Sequence, residues 1–196
     1  MPVARTKVDR QAKIEEILDA ARRRLLAGGY DAMSVAAISR ELKIAQNSVY
    51  WYFPSKDDLF AAAFRRIIER LVTAKPPARR GRVARVVWVT DQMAEFAPLR
   101  AALRRRAAHC AAAARLESDL DGWIRQLLLG ETESPHDRED ATVAGDAFLA
   151  TVEGALALDV PAPERQRLIA FAYERLVGSA GEGSWPAASD RERRYR

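Results

Sequence analysis

The sequence has few of the residues and patterns that catalysis or metal binding requires. Its single cysteine excludes an internal disulfide framework. Two histidines without regular spacing to carboxylates predict no metal site, and there is no Gly-rich phosphate loop or Gly-x-Ser-x-Gly motif. Cys110 follows His109 directly, and adjacent helical side chains diverge too far to form a nucleophile and its base. We therefore expect no enzymatic activity, no metal and no cofactor.

Long apolar runs are also missing. No stretch approaches the ~18 to 20 apolar residues that a membrane-spanning helix needs. The basic N-terminus, MPVARTKVDR, is followed by an amphipathic pattern instead of the uninterrupted apolar region of a secretory signal. We expect a soluble cytoplasmic protein that has no membrane partner.

The composition favours helices and a polyanionic partner. Of the 196 residues, 48% are hydrophobic and 30% are charged, with little glycine or proline inside the periodic segments, which is typical of an all-α protein. The net charge is +5, which favours polyanions. Its excess lies at residues 61–115, with 13 Lys or Arg against 3 Asp or Glu, whereas residues 1–60 carry 10 against 8. Phosphate binding near the N-terminus would therefore depend on individually placed side chains.

Residues 34–42 have the pattern of a short bracing helix. Ser34 is suited to cap it, because a hydroxyl accepts a hydrogen bond from an unpaired amide of the first turn. Val35, Ile38 and Leu42 then recur at helical spacing and form one apolar stripe.

A second short helix is predicted after a tight turn. Val49 and Phe53 lie four residues apart and can anchor one of its faces. The residues expected to point away from the core are Gln46, Asn47, Tyr50 and Trp51. Two helices in this order form a helix-turn-helix, whose second helix presents its N-terminal side chains to base edges in the major groove.

An aromatic run, Tyr50–Phe53, is followed at fixed spacing by Lys56 and Leu59. It resembles the Tyr-x-Tyr-Phe-x-x-Lys-x-x-Leu run of the TetR/AcrR family of transcriptional regulators. The turn departs from that family's Ala-Gly-Val-Ser pattern, because this chain has Leu42, Lys43, Ile44 and Ala45 there. Lys43 lacks the freedom of glycine to take a positive φ, and Ala45 cannot cap the recognition helix as serine would.

Base contacts are predicted for the exposed residues of the second helix. A side-chain amide there can pair bidentately with adenine, and an indole can touch a thymine methyl or lie along the sugar backbone. The candidates are Gln46, Asn47 and Trp51. The alternatives are that the two amides only hold the turn and that the indole marks an interface with protein.

Phosphate contacts are predicted for hydroxyl and amine groups around this helix. The candidates are Ser34, Ser48, Tyr50, Tyr52 and Lys56. The family resemblance favours Tyr52 and Lys56 as backbone clamps, and Lys56 also lies in the first turn of the next helix, whose free amides favour a phosphate.

Two further basic groups lie outside the predicted pair of short helices. The arm formed by Arg5, Lys7 and Arg10 could reach the duplex or be disordered. Arg104–Arg106 are expected to be a solvated helix face, because consecutive helical residues fan out around the axis.

Helical periodicity continues along the chain. We predict a helix-turn-helix domain at 1–54 whose first helix, 10–27, ends at Gly28 and Gly29. A linking helix at 55–75 begins with Ser55 and Asp58 in a capping box. The remaining predicted parts are a connector at 75–81, a larger C-terminal helical bundle at 76–178, a loop at 130–140 and a flexible tail at 179–196. Residues 99–121 could form one helix or two, with Ser118 as a candidate cap.

The resemblance implies two roles for the C-terminal bundle, because the family typically binds a small effector there and pairs its last two helices across a two-fold axis. The candidate pocket residues are Trp88, Met93, Phe96, Leu103, Trp123, Leu127 and Phe148. The candidate dimer residues are Ala144, Ala147, Phe148, Thr151, Ala155, Leu168, Ala172 and Leu176. Burial in the core of one subunit is the alternative for both sets.

We therefore predict an all-α, homodimeric TetR-type regulator. It would be a repressor that an unidentified small-molecule effector releases from a palindromic operator in double-stranded DNA. One alternative is a DNA-binding dimer that responds to no effector. The other is a helical ligand-binding protein or enzyme without a DNA function.

Overall fold

The computed structural model describes residues 3–73, 81–129, 138–158 and 160–177, with side chains for 9–71, 81–126, 142–158 and 160–177. Regular structure within these ranges is entirely helical, which confirms the predicted all-α class. The elements are α1 (Val3–Ala32), α2 (Val35–Glu41), α3 (Gln46–Tyr52), α4 (Lys56–Thr73), α5 (Arg82–Glu95), α6 (Ala97–Ala107), α7 (Ala111–Leu129), α8 (Arg138–Ala157), α9 (Ala162–Ala172) and a π-helical turn (Tyr173–Val177). None of these helices is long and apolar enough to cross a bilayer. The predicted connector, loop and tail lie wholly or largely outside the described residues.

The described residues form two compact units. The first comprises those of Met1–Leu71 and Pro98–Ser118, and the second comprises those of Val72–Ala97 and Asp119–Arg196. α6 and the start of α7 thus belong with the N-terminal helices. The predicted functional division into residues 1–54 and 76–178 stays a prediction.

The glycine pair interrupts α1 where its end was predicted. Gly28 and Gly29 leave helical geometry, and Gly29 has a φ of +71° that favours glycine. A Cβ on Gly28 would lie 2.7 Å from the Cβ of Ala32, so a larger residue would collide with the next turn. The chain then redirects Tyr30 toward α4, where its ring meets Phe60 edge-on at 5.1 Å.

α2 has the predicted cap and apolar stripe. The Ser34 hydroxyl oxygen accepts a hydrogen bond from the Ala37 amide at 3.4 Å. Val35 and Ile38 are buried, whereas Arg40 is exposed on the other side. Burying one stripe fixes the orientation of α2, and α2 in turn supports α3.

Two residues of the turn between α2 and α3 are unusual for their positions. Lys43 takes a φ of +53°, a left-handed conformation that costs a residue with a Cβ about 1–2 kcal/mol. Ala45 occupies the N-cap of α3 and makes no side-chain capping bond. α3 is therefore held in place mainly by the buried side chain of Val49.

Ala45→Ser is expected to raise the free energy of unfolding by about 1 kcal/mol, because a serine hydroxyl can accept from a first-turn amide of α3. Urea denaturation measures this change. The matched control is Ala101→Ser at an exposed position inside α6, where serine caps nothing and lowers stability by roughly 0.5 kcal/mol. Equal changes at the two positions would contradict the uncapped-helix interpretation.

The start of α4 has the predicted serine cap in a modified form. The Asp58 amide donates to the Ser55 oxygen at 3.1 Å, and the Ser55 hydroxyl donates to the Asp58 carboxylate at 2.7 Å. Asp57 and Asp58 both lie in the first turn, where negative charge favours the exposed helix amides. The cap and the acidic first turn fix where α4 begins, and they therefore fix the positions of Lys56 and Asp57.

Residues 99–121 belong to two helices, α6 and α7, and not to one long helix. α6 ends at Ala107, and the Arg106 carbonyl accepts from the amides of both His109 and Cys110 at 2.9 Å. Cys110 precedes α7 and its carbonyl accepts from the Ala114 amide at 2.9 Å. The expectation that Ser118 caps a helix is wrong, because Ser118 lies inside α7.

The second unit has a core between α5, α8 and α9. Phe148 of α8 meets Tyr173 of the π-helical turn edge-on at 5.3 Å, and both are fully buried. Asp91 of α5 accepts hydrogen bonds from Arg165 at 3.3 Å and from Gln166 at 2.6 Å. These polar contacts fix α9 against α5 at the edge of the apolar core.

Candidate nucleic-acid interface

α3 has one buried anchor and an exposed polar and aromatic surface. Val49 is fully buried, whereas the N-terminal residues Gln46, Asn47 and Ser48 are all exposed. Tyr50 is exposed one residue after the anchor. The helix therefore presents amides and hydroxyls to its surroundings on the side opposite Val49.

The bracing of α3 continues back to α1. Glu41 at the end of α2 accepts hydrogen bonds from Arg23 at 2.6 Å and from Arg24 at 2.8 Å. These bonds, that from Arg23 first, hold the pKa of Glu41 below its usual value. The carboxylate therefore stays ionised at neutral pH. These ion pairs hold the end of α2 against α1, and α2 packs against α3.

Trp51 is exposed yet has a defined orientation. Its side chain is 65% exposed. The indole meets the Tyr52 ring edge-on at 4.8 Å, and the Arg10 guanidinium lies 4.9 Å from the indole centroid. Arg10 of the predicted basic arm thus contacts α3, whereas the side chains of Arg5 and Lys7 lie outside the described residues.

Lys56 is held by an aromatic residue that the sequence did not single out. Its ammonium lies 4.1 Å from the centroid of the Tyr30 ring, a cation–π contact between the end of α1 and the start of α4. Both Lys56 and Tyr52 are half-buried. A phosphate contact from either side chain would therefore come from a group whose rotamer is already restricted.

Tyr30 also binds Asp57. Its hydroxyl donates to Asp57 Oδ1 at 2.5 Å. Burial, with that hydrogen bond as a second cause, raises the pKa of Tyr30 to about 12. The hydroxyl therefore remains protonated, and remains a donor, over the whole physiological pH range. The one sequence signal for this contact is the glycine pair just before Tyr30, which lets the chain turn this ring toward α4.

The predicted pocket residues do not all belong to one unit. Trp88, Met93, Phe96, Trp123 and Phe148 lie in the second unit, where Met93 and Phe148 are buried and the other three are half-buried. Leu103 is buried in the first unit. Leu127 belongs to α7, but its side chain lies outside the described residues.

The predicted dimer residues divide between core and surface. Phe148, Ala155 and Ala172 are buried inside the second unit and have almost no surface to offer a partner. Ala144 and Thr151 are half-buried, and Ala147, Leu168 and Leu176 are exposed. Three exposed large apolar side chains of this unit were not in the predicted set: Val143, 64% exposed, Leu158, 57% exposed, and Phe171, 59% exposed.

A braced pair of short helices, the second one exposed at its N-terminus, defines a helix-turn-helix DNA-binding protein. Residues 17–63 match the profile of the bacterial regulatory proteins, tetR family. The HTH-type transcriptional repressor KstR of Rhodococcus jostii (strain RHA1) is 27% identical over 174 residues, which cover 84% of this chain and 82% of that protein.

Solved structures share the fold. A transcriptional regulator from Rhodococcus sp. RHA1 gives a TM-score of 0.63 at 21% identity, over 83% of this chain and 95% of that one. A TetR transcription regulator from Haloarcula marismortui ATCC 43049 gives 0.60 at 20% identity, over 85% and 97%. The N-terminal region of the chain matches the TetR family of transcriptional regulators, which confirms the resemblance seen in its aromatic run.

Proposed function

We propose that this regulator is a repressor that acts as a homodimer and binds a palindromic operator through α3 of each subunit. The observation that carries this proposal is the exposed N-terminus of α3, fixed by buried Val49 and by the ion-paired support from α1 and α2. The name of the similar protein KstR supports repression over activation. A transcriptional regulator works where the DNA is, so we retain the cytoplasm as its expected compartment.

Base readout is assigned to Gln46, Asn47 and Trp51. The two amides extend from the first turn of α3, which is the part of a recognition helix that enters the major groove. Each can donate to and accept from an adenine edge at once. The indole, oriented by Arg10 and Tyr52, is suited to contact a thymine methyl or the sugar backbone beside them.

Phosphate contacts are assigned to Ser34, Ser48, Tyr50, Tyr52 and Lys56. The Ser34 oxygen caps α2 as an acceptor, which leaves its hydroxyl proton available for a phosphate oxygen. α3 itself has no charged side chain. The positive charge beside α3 must therefore come from flanking residues, and Lys56 is one of them. The single charge of Lys56 accordingly supplies a large part of the local attraction to phosphates.

Lys56→Ala is expected to weaken binding to operator and random DNA by a similar factor, because phosphates carry no sequence information. The slope of log affinity against log salt should fall by about 1 per subunit. Tyr52→Phe should also act uniformly, without changing the slope. Fluorescence anisotropy over a salt series measures both quantities.

The matched control for the charge is Lys13→Ala, since Lys13 is paired with Glu16 on α1. It should change affinity and slope much less than Lys56→Ala. A selective loss on the operator, with random DNA unaffected, would contradict the assignment of Lys56 to the backbone.

The dimer is assigned to the exposed apolar surface of α8 and α9. Val143, Ala147 and Gly154 are exposed along α8, and small residues there allow close approach of a second helix. Leu168 and Phe171 are exposed on α9. Single exposed apolar residues are common, but several on two neighbouring helices are typical of an interface.

The effector site is assigned to the second unit. The Tyr173 hydroxyl is buried in this unit, and the Arg82 guanidinium interacts with it. Burial raises its pKa, although the nearby Arg82 acts in the opposite direction. Ligand pockets between the helices of a bundle are mostly apolar with a few polar groups, so a tyrosine hydroxyl inside this apolar core supports an effector site in the second unit. Such an effector would release DNA by binding more tightly to the conformation in which the two α3 helices are wrongly spaced for successive major grooves.

Selection of bound fragments from the source genome tests the proposed function. The wild-type protein should enrich fragments that share a two-fold symmetric motif. A protein with both Gln46 and Asn47 replaced by alanine, processed in parallel, should lose that enrichment. No enrichment by the wild type at low salt would remove the DNA-binding function.

A further inference from the structure

Three consecutive arginines at the end of α6 have three different environments. Arg104 donates to Glu117 at 2.9 Å, and Arg105 is exposed. The Arg106 guanidinium lies 4.2 Å from the centroid of the Tyr30 ring, and its Nε is 3.7 Å from Asp57 Oδ1. The expectation of one solvated face is therefore wrong for Arg106, which is turned toward the start of α4.

Asp57 is an unfavourable residue for a DNA-binding surface. It directly follows Lys56, the proposed phosphate clamp, and it is half-buried. A carboxylate this close to a phosphate site repels the phosphate, and partial burial makes that repulsion stronger than in bulk water. Its charge must be compensated if Lys56 is to hold DNA.

The groups that face Asp57 supply this compensation. The Tyr30 hydroxyl donates to Asp57 Oδ1 at 2.5 Å, and Arg106 approaches the same oxygen. Tyr30 is also the ring over which Lys56 lies. One aromatic side chain therefore connects the proposed clamp, the carboxylate and the arginine.

We propose that Arg106, although it lies outside the helix-turn-helix, is a positioning residue for DNA binding. It neutralises Asp57 and holds the Tyr30 ring in place, so that Lys56 meets a phosphate without a competing negative charge. This inference rests on the proposed function, because it requires Lys56 to contact DNA. It makes the placement of α6 a determinant of DNA affinity through one identifiable charge.

The test compares Arg106→Ala with Arg105→Ala. Both remove one positive charge from the same helix, but only Arg106 faces Asp57. Arg106→Ala should weaken operator binding about fivefold per subunit and roughly 25-fold for a two-subunit complex. Random DNA should be affected by a similar factor, because the effect acts on phosphates. Arg105→Ala should change either affinity less than threefold.

Asp57→Asn separates charge compensation from a purely structural role. In the Arg106→Ala background it should restore affinity to within about twofold of the Asp57→Asn protein, because no charge remains to be neutralised. If Arg106 only supported packing, the second substitution would add to the damage. If Arg106→Ala lowers the melting temperature by several degrees, Arg106→Gln, which keeps most of the side-chain length, replaces it in the same cycle.

Two outcomes would overturn the proposal: equal losses for Arg105→Ala and Arg106→Ala, or no recovery with Asp57→Asn in a protein that is folded. Both presuppose that the wild type binds the selected operator. A wild type that binds no DNA would instead remove the proposed function, so the two failures can be told apart.

Discussion

Replacing Phe171 with glutamate should convert the protein to a monomer and lower operator affinity at least 100-fold. Phe171 is 59% exposed on α9, and the guanidinium of Arg175 lies 5.5 Å from its ring. In a two-fold dimer each substitution appears twice, so two carboxylates would replace two apolar rings, and burying each one costs its hydration even where Arg175 of the same subunit pairs with it. Monomers bind two half-sites independently and lose the effective concentration that linkage provides, roughly 10²- to 10⁴-fold.

Sedimentation velocity and anisotropy on the selected operator measure the two effects of Phe171→Glu. Leu26→Glu is the matched control, because Leu26 is an exposed apolar residue of α1 outside the proposed interface. It should leave the protein dimeric. A Phe171→Glu protein that remains dimeric at micromolar concentration would contradict the assignment of the interface to α8 and α9.

Gln46→Ala and Asn47→Ala should each lower operator affinity at least 30-fold if the replaced amide makes a bidentate base contact. One such contact contributes about 1–3 kcal/mol of discrimination, and a symmetric dimer loses it twice. Affinity for random DNA should change less than threefold, since phosphate contacts are untouched. The ratio of the two affinities is therefore the informative quantity.

Gln11→Ala is the matched control for these substitutions. It removes the same side chain from an exposed position on α1, where the amide donates to Glu15 at 2.9 Å. Its affinity ratio should equal that of the wild type. Equal losses on operator and random DNA for Gln46→Ala and Asn47→Ala would show that the amides hold the turn and do not read bases.

The helix-turn-helix could be predicted from sequence because each step depends on local spacing. The Ser34 cap, the buried Ile38 and the buried Val49 all follow from hydroxyl chemistry and helical periodicity, and all are present. The conformation of Lys43 could also be anticipated, because the turn needs a positive φ at a position where this chain lacks glycine. Local rules therefore predicted most of the α2 and α3 geometry.

Features that depend on distant contacts could not be predicted. The end of α6 contains no glycine or proline, so no residue near Ala107 signals a break. Arg104, Arg105 and Arg106 are chemically identical in sequence, and only the fold distinguishes the one that faces Asp57.

The sequence also did not show which face of α8 is exposed, because that depends on contacts with distant parts of the chain. α8 has apolar residues on its buried and exposed sides, with Phe148 inside and Val143 outside. Periodicity shows that two stripes exist, but it does not show which of them is covered by the same subunit.

The most direct test of the account is a structure of the dimer bound to a selected operator fragment. We predict that the N-terminus of α3 from each subunit lies in successive major grooves, with Gln46 or Asn47 about 3 Å from a base edge. A complex in which both amides face solvent, while another surface contacts the DNA, would contradict it.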